Sequence, residues 1–406
     1  MPSPPRRILL VDADAFFVAV ARMADPEGAG RAKLLIVGGS REGRGVVCSA
    51  SYDVRAFGVR SGMPMARAVK LCPQAMCVPV PRGACSEKSR EIRAELERWA
   101  PVVEGASIDE WYLDLAGTEA LYGHEPLAET ARRIREAVVA RTGLTVSIGG
   151  GTNKLVAKLA VELAKPKYGA AGVHVVPPGG EGEFMRGIEL AAVPGIGPRF
   201  QERLRRDNLV TVADVLALDA ETLVRLVGER DAEWLLRVAR GEHEGAVEAG
   251  EEAKSISREE TFPRDIHDDP SLERELVRVA VRVAADVREE GLRARTITVK
   301  LRDADFTTRR KSRTLPEGVE SERAIVAVAL DLLRRLRAAR RVGTRLVGVA
   351  LTGFGAGPAR QLGLFESAAV PVAGVESERD RALSRAADAL RAKFGPDAIL
   401  PGTLVE

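Results

Sequence analysis

The sequence predicts a multidomain protein of the α+β class, and three observations predict it. Over the first 170 residues, apolar runs typical of strands alternate with amphipathic runs typical of helices. From about residue 174 short helix-like runs follow one another, and a polar, acidic stretch comes next. Beyond it, two alternating strand-like runs are flanked by helix-like runs at 272–290 and 321–340, which indicates a second, independent α+β unit. At 406 residues the chain has room for roughly two to four domains.

The composition is that of an ordinary globular protein, with 45% hydrophobic and 29% charged residues. No apolar run is long enough to span a bilayer. The run after Arg6 and Arg7 is short and is interrupted by Asp12 and Asp14, which argues against a signal peptide. The four cysteines lack paired C-x-x-C spacing and a nearby histidine, which predicts reduced thiols and no zinc site. We therefore expect a cytoplasmic protein that acts away from membranes.

The first elements follow from apolar periods and turn residues. The run ILLV predicts a buried strand, and AFFVAVARM predicts the helix after it. Two further strands, LLIVGG and GVVCSA, are separated by a glycine-rich turn, and the short helix MPMARAVKLCP is closed by Pro73. An amphipathic helix is predicted from SEKSREIRAELERWAP, capped by Ser86 and ending near Pro101.

The later elements follow the same rules. VVEGASIDEWYLDL predicts strand, turn and strand; PLAETARRIREAVVARTG predicts a helix, and LTVSIGGG a strand. VPGIGPRFQERL predicts a glycine-flanked turn and a helix, whereas GEHEGAVEAGEEAKS has no apolar period and predicts a linker. RTITVKLRDADFTTRRKSRTL predicts a strand pair, and a tail with one amphipathic stretch, SERDRALSRAADALRAKFG, follows it.

Three acidic residues point to chemistry. Asp12 follows the first apolar strand, and Asp109 and Glu110 interrupt the apolar run SIDEWYLDL. A surface turn between two strands would explain the second pair. If the two strands are neighbours, however, three carboxylates converge and repel one another unless a cation is present. Mg²⁺ prefers such hard oxygen ligands, and two ions can clamp an in-line displacement at phosphorus.

A basic segment points to a polyanionic partner. Between 291 and 315 eight Lys or Arg residues stand against two Asp. Such a density is typical of a surface that binds nucleic acid. A solvated strand face is the alternative explanation.

Five motifs resemble, in their order, those of the Y-family DNA polymerases, and most closely the DinB or DNA polymerase IV branch. They are ILLVDADAFFVAV, VVCSASYDVRAFGVRSGMPMARAVKLCP, ASIDEWYLDL, SIGGGTNKLVAKLAVELAKP and VPGIGPRFQERL. AKSISREETF and ITVKLRDADFTTRRKSRTL resemble the family's little-finger domain. The resemblance covers nearly the whole chain and implies a right-hand polymerase. Its parts would be a palm (1–20 and 83–173), fingers (21–82), a thumb with a helix-hairpin-helix (174–241), a linker (242–255), a C-terminal α/β little finger (256–355) and a tail with a clamp-binding peptide (356–406).

The resemblance implies the metal and sugar contacts. Asp12, Asp109 and Glu110 match the palm carboxylates that hold two Mg²⁺ ions, and the backbone carbonyl of Ala13 would complete one metal shell. Asp14 matches an acidic position that supports the site. Phe17 matches the steric gate that leaves no room for a 2′-hydroxyl; an ordinary core phenylalanine is the alternative.

The resemblance also implies the contacts to the incoming nucleotide. Tyr52 and Arg55 match residues that grip the triphosphate, and in a helix their spacing places them on one face. Lys165 matches the lysine that approaches the β- and γ-phosphates, although the segment after Pro166 carries extra residues compared with the commoner family form. Lys158 would share the helical face of Lys165, and we assign it no role.

Three further features are candidates for binding DNA or a partner protein. Gly195 and Gly197 would let backbone N–H groups approach a phosphate, unless they form only a tight turn between helices. About half of the basic residues of the strand pair can face DNA at once, because only alternate residues share a strand face. These candidates are Arg293, Arg295, Lys300, Arg302, Arg309, Arg310, Lys311 and Arg313. QLGLFE resembles the peptide that binds the sliding clamp, with Gln361, Leu364 and Phe365 as its anchors.

The sequence therefore predicts a monomeric, template-directed DNA polymerase of low fidelity for translesion synthesis. Its partners would be primer-template DNA, dNTPs and the sliding clamp, and the chain leaves no room for a proofreading exonuclease. Two alternatives are a non-catalytic DNA- or clamp-binding protein with the same fold and a palm-type nucleotide cyclase. The three carboxylates argue against the first, and the thumb hairpin and the basic second unit argue against the second.

Overall fold

The structure is a computed structural model that describes residues 5–166, 171–250, 253–354, 376–395 and 398–404. The chain forms two compact units, 1–251 and 252–406, and the division falls inside the predicted linker. Both units combine helices with antiparallel strand pairs, so the α+β class is confirmed.

The strands and helices of the first unit alternate as predicted up to residue 175. Its strands are β1 (Ile8–Ala13), β2 (Leu35–Gly38), β3 (Val47–Ala50), β4 (Met76–Val78), β5 (Val102–Gly105), β6 (Glu110–Asp114), β7 (Val146–Gly151) and β8 (Val173–Val175). Its helices are α1 (Phe16–Ala24), α2 (Tyr52–Arg55), α3 (Met65–Leu71), α4 (Arg82–Leu96), α5 (Leu127–Thr142), α6 (Lys154–Ala164), α7 (Glu181–Arg186), α8 (Pro198–Arg206), α9 (Val212–Leu216), α10 (Ala220–Val227) and α11 (Glu229–Ala239).

A five-stranded sheet in the order β5-β6-β1-β7-β8 forms the centre of the first unit. All six residues of β1 are buried, because helices cover both of its faces. On one face, Leu9 and Val11 pack in a core with residues of α4 and α5, such as Ile92 and Ile134. On the other face, Leu10 packs against Ala157 of α6.

Two smaller layers complete this unit. A three-stranded sheet in the order β3-β2-β4 packs on α2 and α3 around Ile36, Val54 and Met65. Helices α7 to α11 form a separate helical core that includes Leu204 and Leu235. This short-helix region matches the helical character predicted from residue 174.

The second unit contains an antiparallel sheet in the order β11-β10-β12-β9, with two long helices on one face. Its elements are β9 (Ser255–Ile266), α12 (Asp269–Glu289), β10 (Ala294–Asp303), β11 (Thr308–Val319), α13 (Glu322–Ala339), β12 (Thr344–Thr352) and α14 (Glu378–Phe394). The strand pair and its two flanking helices are confirmed. Helix α14 accounts for the amphipathic stretch of the tail.

One local prediction is wrong. Ser86 does not cap α4, which begins at Arg82 so that Cys85 joins Ile92 on the buried face. The predicted linker has one buried residue. Val247 is only 7% exposed and packs with Ile8 and residues around it, because a single apolar residue suffices to bind an extended segment to a sheet.

Candidate active site

The three predicted carboxylates lie at one edge of the five-stranded sheet. Strands β1 and β6 are antiparallel neighbours, and their register places Asp12 opposite Glu110. The backbone N–H of Ala13 donates a hydrogen bond of 2.9 Å to the carbonyl of Asp109. The proximity that the metal hypothesis requires is therefore present. We call this place the carboxylate edge.

Asp12 is the most deeply buried of the three, with 7% of its surface exposed. Burial raises the pKa of Asp12 to about 7, and the nearby Glu110 adds to the rise, whereas Lys165 opposes it. The Lys165 ammonium lies 3.0 Å from Asp12 and 2.6 Å from Glu162. Although burial by itself lowers the pKa of Lys165, these two carboxylates outweigh it and raise that pKa above its usual value.

The other two carboxylates also have partners. Lys158 donates a 2.5 Å hydrogen bond to Glu110, and the Ser107 hydroxyl donates one of 2.6 Å to Asp109. Within the described ranges, no group of three His, Cys, Asp or Glu side chains is gathered closely enough to hold a metal ion. Lys158 and Lys165 supply positive charge beside Glu110 and Asp12.

The donor set nevertheless suits a hard cation. The carboxylate edge offers oxygen atoms from three acids, which is the chemistry that Mg²⁺ prefers. Behind it, Asp14 accepts a 2.7 Å hydrogen bond from Ser147 through one oxygen. The other Asp14 oxygen is buried and has no hydrogen-bond partner among the described residues. A buried oxygen without a partner, beside carboxylates whose present partners are flexible lysines, fits a site that holds divalent metal.

Lys158 is the residue that sequence reasoning undervalued. It lies on α6, seven residues before Lys165, so both lysines share one helical face. Helix α6 packs directly on β7, and this places the two ammonium groups against the carboxylate edge. The seven-residue spacing was the signal, but only the packing of α6 shows which carboxylate each lysine reaches.

The neighbouring residues Phe16 and Phe17 differ in their burial. Helix α1 starts after Ala15, whose backbone is left-handed with φ of 46°. Phe16 is buried in the core beneath the sheet, whereas Phe17 is half-buried and its ring centre lies 5.6 Å from that of Phe16. Phe17 also touches the cluster that contains Leu35 of the small sheet. The core position is thus taken by Phe16, and the gate role of Phe17 stays a prediction.

Tyr52 and Arg55 lie on the single helical turn α2, as their spacing predicted. The Arg55 guanidinium lies 5.2 Å from the centre of the Tyr52 ring, and its Nε donates to the carbonyl of Ala50. Burial raises the pKa of Tyr52, and the charge of Asp14 adds to the rise. Triphosphate binding by the pair stays a prediction.

The glycines of the helical region form the turn before α8. Gly195 has φ of 96°, and a Cβ there would lie 3.1 Å from the Trp234 ring, so this position requires glycine. Gly197 is the N-cap of α8 and Pro198 its first residue. The first N–H groups of a helix lack partners within it, which suits a phosphate. A tight turn alone would require the same glycine, so DNA contact stays a prediction.

The basic residues of the second unit divide between two faces of its sheet. Lys300 and Arg310 are paired across strands β10 and β11 and lie on the helix-free face. Arg309 and Arg313 pair with buried Leu301 and Ile297 and therefore lie on the helix-covered face.

The existing contacts differ accordingly. Arg309 binds Asp303 at 2.9 Å, and Arg313 binds Asp331 at 2.5 Å. On the other face Lys300 binds Glu259 at 2.7 Å, and Arg310 is exposed. Three of the remaining candidates also have neighbours: Arg293 lies 3.4 Å from Glu376, Arg295 donates to the carbonyl of Leu315, and Arg302 donates to the Thr308 hydroxyl. The helix-free face is thus the better candidate for DNA, and each individual contact stays a prediction.

Two expectations concern other partners. Gln361, Leu364 and Phe365 lie outside the described residues, so clamp binding stays a prediction. In the part of the chain that the structure describes, each helix is too short or too polar to cross a membrane.

The fold and the carboxylate edge define a right-hand nucleic-acid polymerase, and comparison with known proteins identifies its kind. Models of the impB/mucB/samB family and of its C-terminal domain match residues 11–162 and 253–364. DNA polymerase IV of Dehalococcoides mccartyi is 36% identical over 397 residues, which is 98% of this chain and 97% of that protein. DNA polymerase IV of Methanoculleus marisnigri is 38% identical over 370 residues, which is 90% of this chain and 99% of that protein.

A solved structure agrees with this result. A Y-family DNA polymerase chimera is similar with a TM-score of 0.71 and 28% identity, covering 86% of this chain and 99% of that one. The chain belongs to the Y-family DNA polymerases, in the DinB or DNA polymerase IV branch. It is a DNA-directed DNA polymerase, and the predicted family and enzyme class are confirmed. The cyclase and the non-catalytic binding protein are thereby set aside.

Proposed function

We propose that the protein extends a primer along a template for translesion synthesis, by two-metal transfer of a nucleotide from a dNTP to the primer 3′-hydroxyl. Low fidelity and the lack of a proofreading exonuclease are part of the proposal. The observation that carries it is the register of Asp12 with Glu110, beside the hydrogen bond from Ala13 to Asp109. The names of the relatives support it, since both compared relatives are DNA polymerase IV.

The acidic residues would hold two Mg²⁺ ions. Asp12, Asp109 and Glu110 would supply carboxylate oxygens, and Ala13 its backbone carbonyl. When bound, such ions activate the attacking hydroxyl and stabilise charge on the phosphates. Asp12 has to be ionised for this role, and its buried position makes the free carboxylate a strong attractor for positive charge.

The side chains around the edge would position the dNTP. The Lys165 ammonium, which pairs with Asp12, would turn to the β- and γ-phosphates. The hydroxyl of Tyr52 and the planar guanidinium of Arg55 would bind the triphosphate oxygens. The Phe17 ring would lie beneath the sugar and exclude a 2′-hydroxyl.

The remaining partners follow from surfaces farther away. We assign backbone contact with the DNA to Gly195 and Gly197, and phosphate contact to the basic residues of the second unit. Contacts of this kind position DNA without reading its sequence, and their strength falls steeply with salt. We further propose that the protein acts as a monomer and is tethered to the sliding clamp through the segment 361–366.

The decisive test is Asp109→Ala in a primer-extension assay with Mg²⁺. We expect the rate to fall by about a thousandfold or more, because a metal ligand is lost, while binding of primer-template DNA stays nearly unchanged. Asp114→Asn is the matched control, since Asp114 lies at the opposite end of β6 and caps the N–H of Ala116. Extension by Asp109→Ala at the rate of the control would remove Asp109 from the metal site.

A further inference from the structure

Lys158 lies between the carboxylate edge and a neighbouring cavity of the first unit. Its ammonium is bound to Glu110 at the carboxylate edge. The same side chain lines an open cavity of about 450 Å³ between Tyr112 of β6, α6, α11 and the segment after α11. No role of the family residues assigned above uses this cavity.

The cavity has the side chains of an anion site for a nucleic-acid strand. Two ammonium groups and one guanidinium line it together with aromatic rings, and the exposed Arg237 faces solvent. Cations that bind phosphate and rings that pack on sugars and bases are the usual surface for a single strand. The charged and aromatic lining residues are Lys154, Lys158, Arg237, Tyr112, Trp234 and His243.

Without a metal ion, however, this cavity does not favour an anion. Lys154 is neutralised by Glu104 at 2.6 Å, and Lys158 by Glu110 at 2.5 Å. Glu242 and Glu244 also line the cavity, and their two negative charges exceed the one positive charge of Arg237. Burial lowers the pKa of His243, so its ring adds no positive charge near neutral pH.

Occupation of Glu110 by a divalent cation would change this balance. The Lys158 ammonium cannot stay beside an oxygen that ligates a cation, because the two positive charges repel. Its four-carbon stem is flexible, and a change of rotamer is enough to turn the ammonium into the cavity that it already lines. Release of Lys158 adds one positive charge to the lining, which changes from a net negative charge to neutrality and gains a mobile ammonium group that can bind a phosphate.

We propose that Lys158 is a positioning residue that couples metal binding to primer binding. When a divalent cation takes Glu110, the Lys158 ammonium leaves this carboxylate and binds a phosphodiester group of the primer strand in the adjacent cavity. The inference rests on the proposed function, since it assigns Glu110 to the metal and the cavity to the primer. Coupling of this kind is reciprocal, so primer-template DNA also tightens metal binding by the same factor.

Lys154 provides the matched control. It lines the same cavity, but it is fixed by Glu104 and lies 4.9 Å from the centre of the Tyr112 ring. Lys154→Gln therefore removes a positive charge of the cavity without releasing a metal ligand. Any general effect of lost charge on DNA binding is shared by Lys154→Gln and Lys158→Gln.

The experiment measures the Kd of the full chain for a labelled primer-template by fluorescence anisotropy, with Mg²⁺ and with EDTA at equal ionic strength and without dNTP. We expect Mg²⁺ to tighten binding by about tenfold in the wild type and in Lys154→Gln. The Kd of Lys158→Gln should be the same in both buffers, and Lys158→Arg should restore part of the effect. In parallel, electron paramagnetic resonance of Mn²⁺ should show tighter DNA-free metal binding by Lys158→Gln, because the competing ammonium is gone.

The outcomes separate the inference from the proposed function. If Lys158→Gln keeps the Mg²⁺ effect of the wild type, or if the wild type shows none, the coupling is refuted and Lys158 is only a counter-ion for Glu110. If the wild type fails to bind primer-template DNA in either buffer, the proposed function itself fails.

Discussion

Replacing Gly149 by alanine tests how closely helix α6 must approach the five-stranded sheet. A Cβ at Gly149 would stand 2.2 Å from the carbonyl oxygen of Ala157 and 2.2 Å from the backbone nitrogen of Val161. Both atoms belong to the backbone of α6, so a change of rotamer cannot relieve the contact. The helix would have to retreat by about 1 Å to reach ordinary van der Waals separation.

The cost follows from this geometry. Overpacking a core typically costs about 1–3 kcal/mol, and a clash of backbone with backbone belongs at the upper end. We therefore expect Gly149→Ala to lower the free energy of unfolding by about 3 kcal/mol. For a unit of this size, that corresponds to a fall in melting temperature of about 6–12 °C.

Alanine substitutions at two other glycines serve as controls for the clash at Gly149. A Cβ at Gly150 would meet side-chain atoms, the nearest on Leu9 and Val175 at 2.8 Å, so Gly150→Ala should cost less. At Gly83, in the first turn of α4, no atom of the described residues lies within 4 Å of such a Cβ, and Gly83→Ala should change stability by less than about 0.5 kcal/mol.

The assay is thermal unfolding of the three variants, followed by circular dichroism, with primer extension below the melting temperature. Gly149→Ala should also extend primers more slowly than Gly150→Ala, since α6 carries Lys158 and positions Lys165. A melting temperature for Gly149→Ala equal to that of Gly83→Ala would refute the close-packing argument.

Three further predictions concern the carboxylate edge, the sugar and the tail. In metal-free protein the Asp12 pKa of about 7 exceeds its ordinary value of 3.8, so the native state binds the extra proton and its stability falls as pH rises through this window. Asp12→Asn should lack that fall in urea unfolding with EDTA, and parallel pH profiles would contradict the raised pKa. Phe17→Ala should raise the rate of ribonucleotide insertion relative to deoxyribonucleotide insertion by about tenfold or more in a single-nucleotide insertion assay. An unchanged ratio would show that Phe17 is not the steric gate. Deletion of 361–366 should leave distributive synthesis intact and abolish stimulation by the sliding clamp; surviving stimulation would place the tether elsewhere.

The carboxylate edge was predictable because local pattern and chain order both pointed to it. In SIDEWYLDL, Trp111 and Leu113 are buried while Tyr112 and Asp114 are half-buried, which is the period of two that a strand imposes. The strand assignment made the proximity of Asp12 and Glu110 conditional on neighbouring strands, and the resemblance to the Y-family polymerases implied that they are neighbours.

The partners of these carboxylates were not predictable in the same way. Lys158 lies 48 residues from Glu110, and the contact depends on how α6 is seated on the sheet rather than on any local spacing. The burial of Val247, in the acidic segment after α11, was also not predictable from the sequence. One apolar residue gives no period, so only the tertiary packing shows that it is bound.

The triglycine strand and the two lysines are parts of one arrangement. Because β7 has glycine at 149 and 151, the two positions that face α6, the helix backbone can lie directly on the sheet. A helix at that distance places the Lys158 ammonium 2.5 Å from Glu110 and the Lys165 ammonium 3.0 Å from Asp12. A buried carboxylate without a partner is costly, and the flexible lysines supply that partner without occupying the site permanently. Under the proposed function and the inference above, this close packing holds two ammonium groups beside the carboxylates, from which Lys165 would turn to the dNTP and Lys158 to the primer.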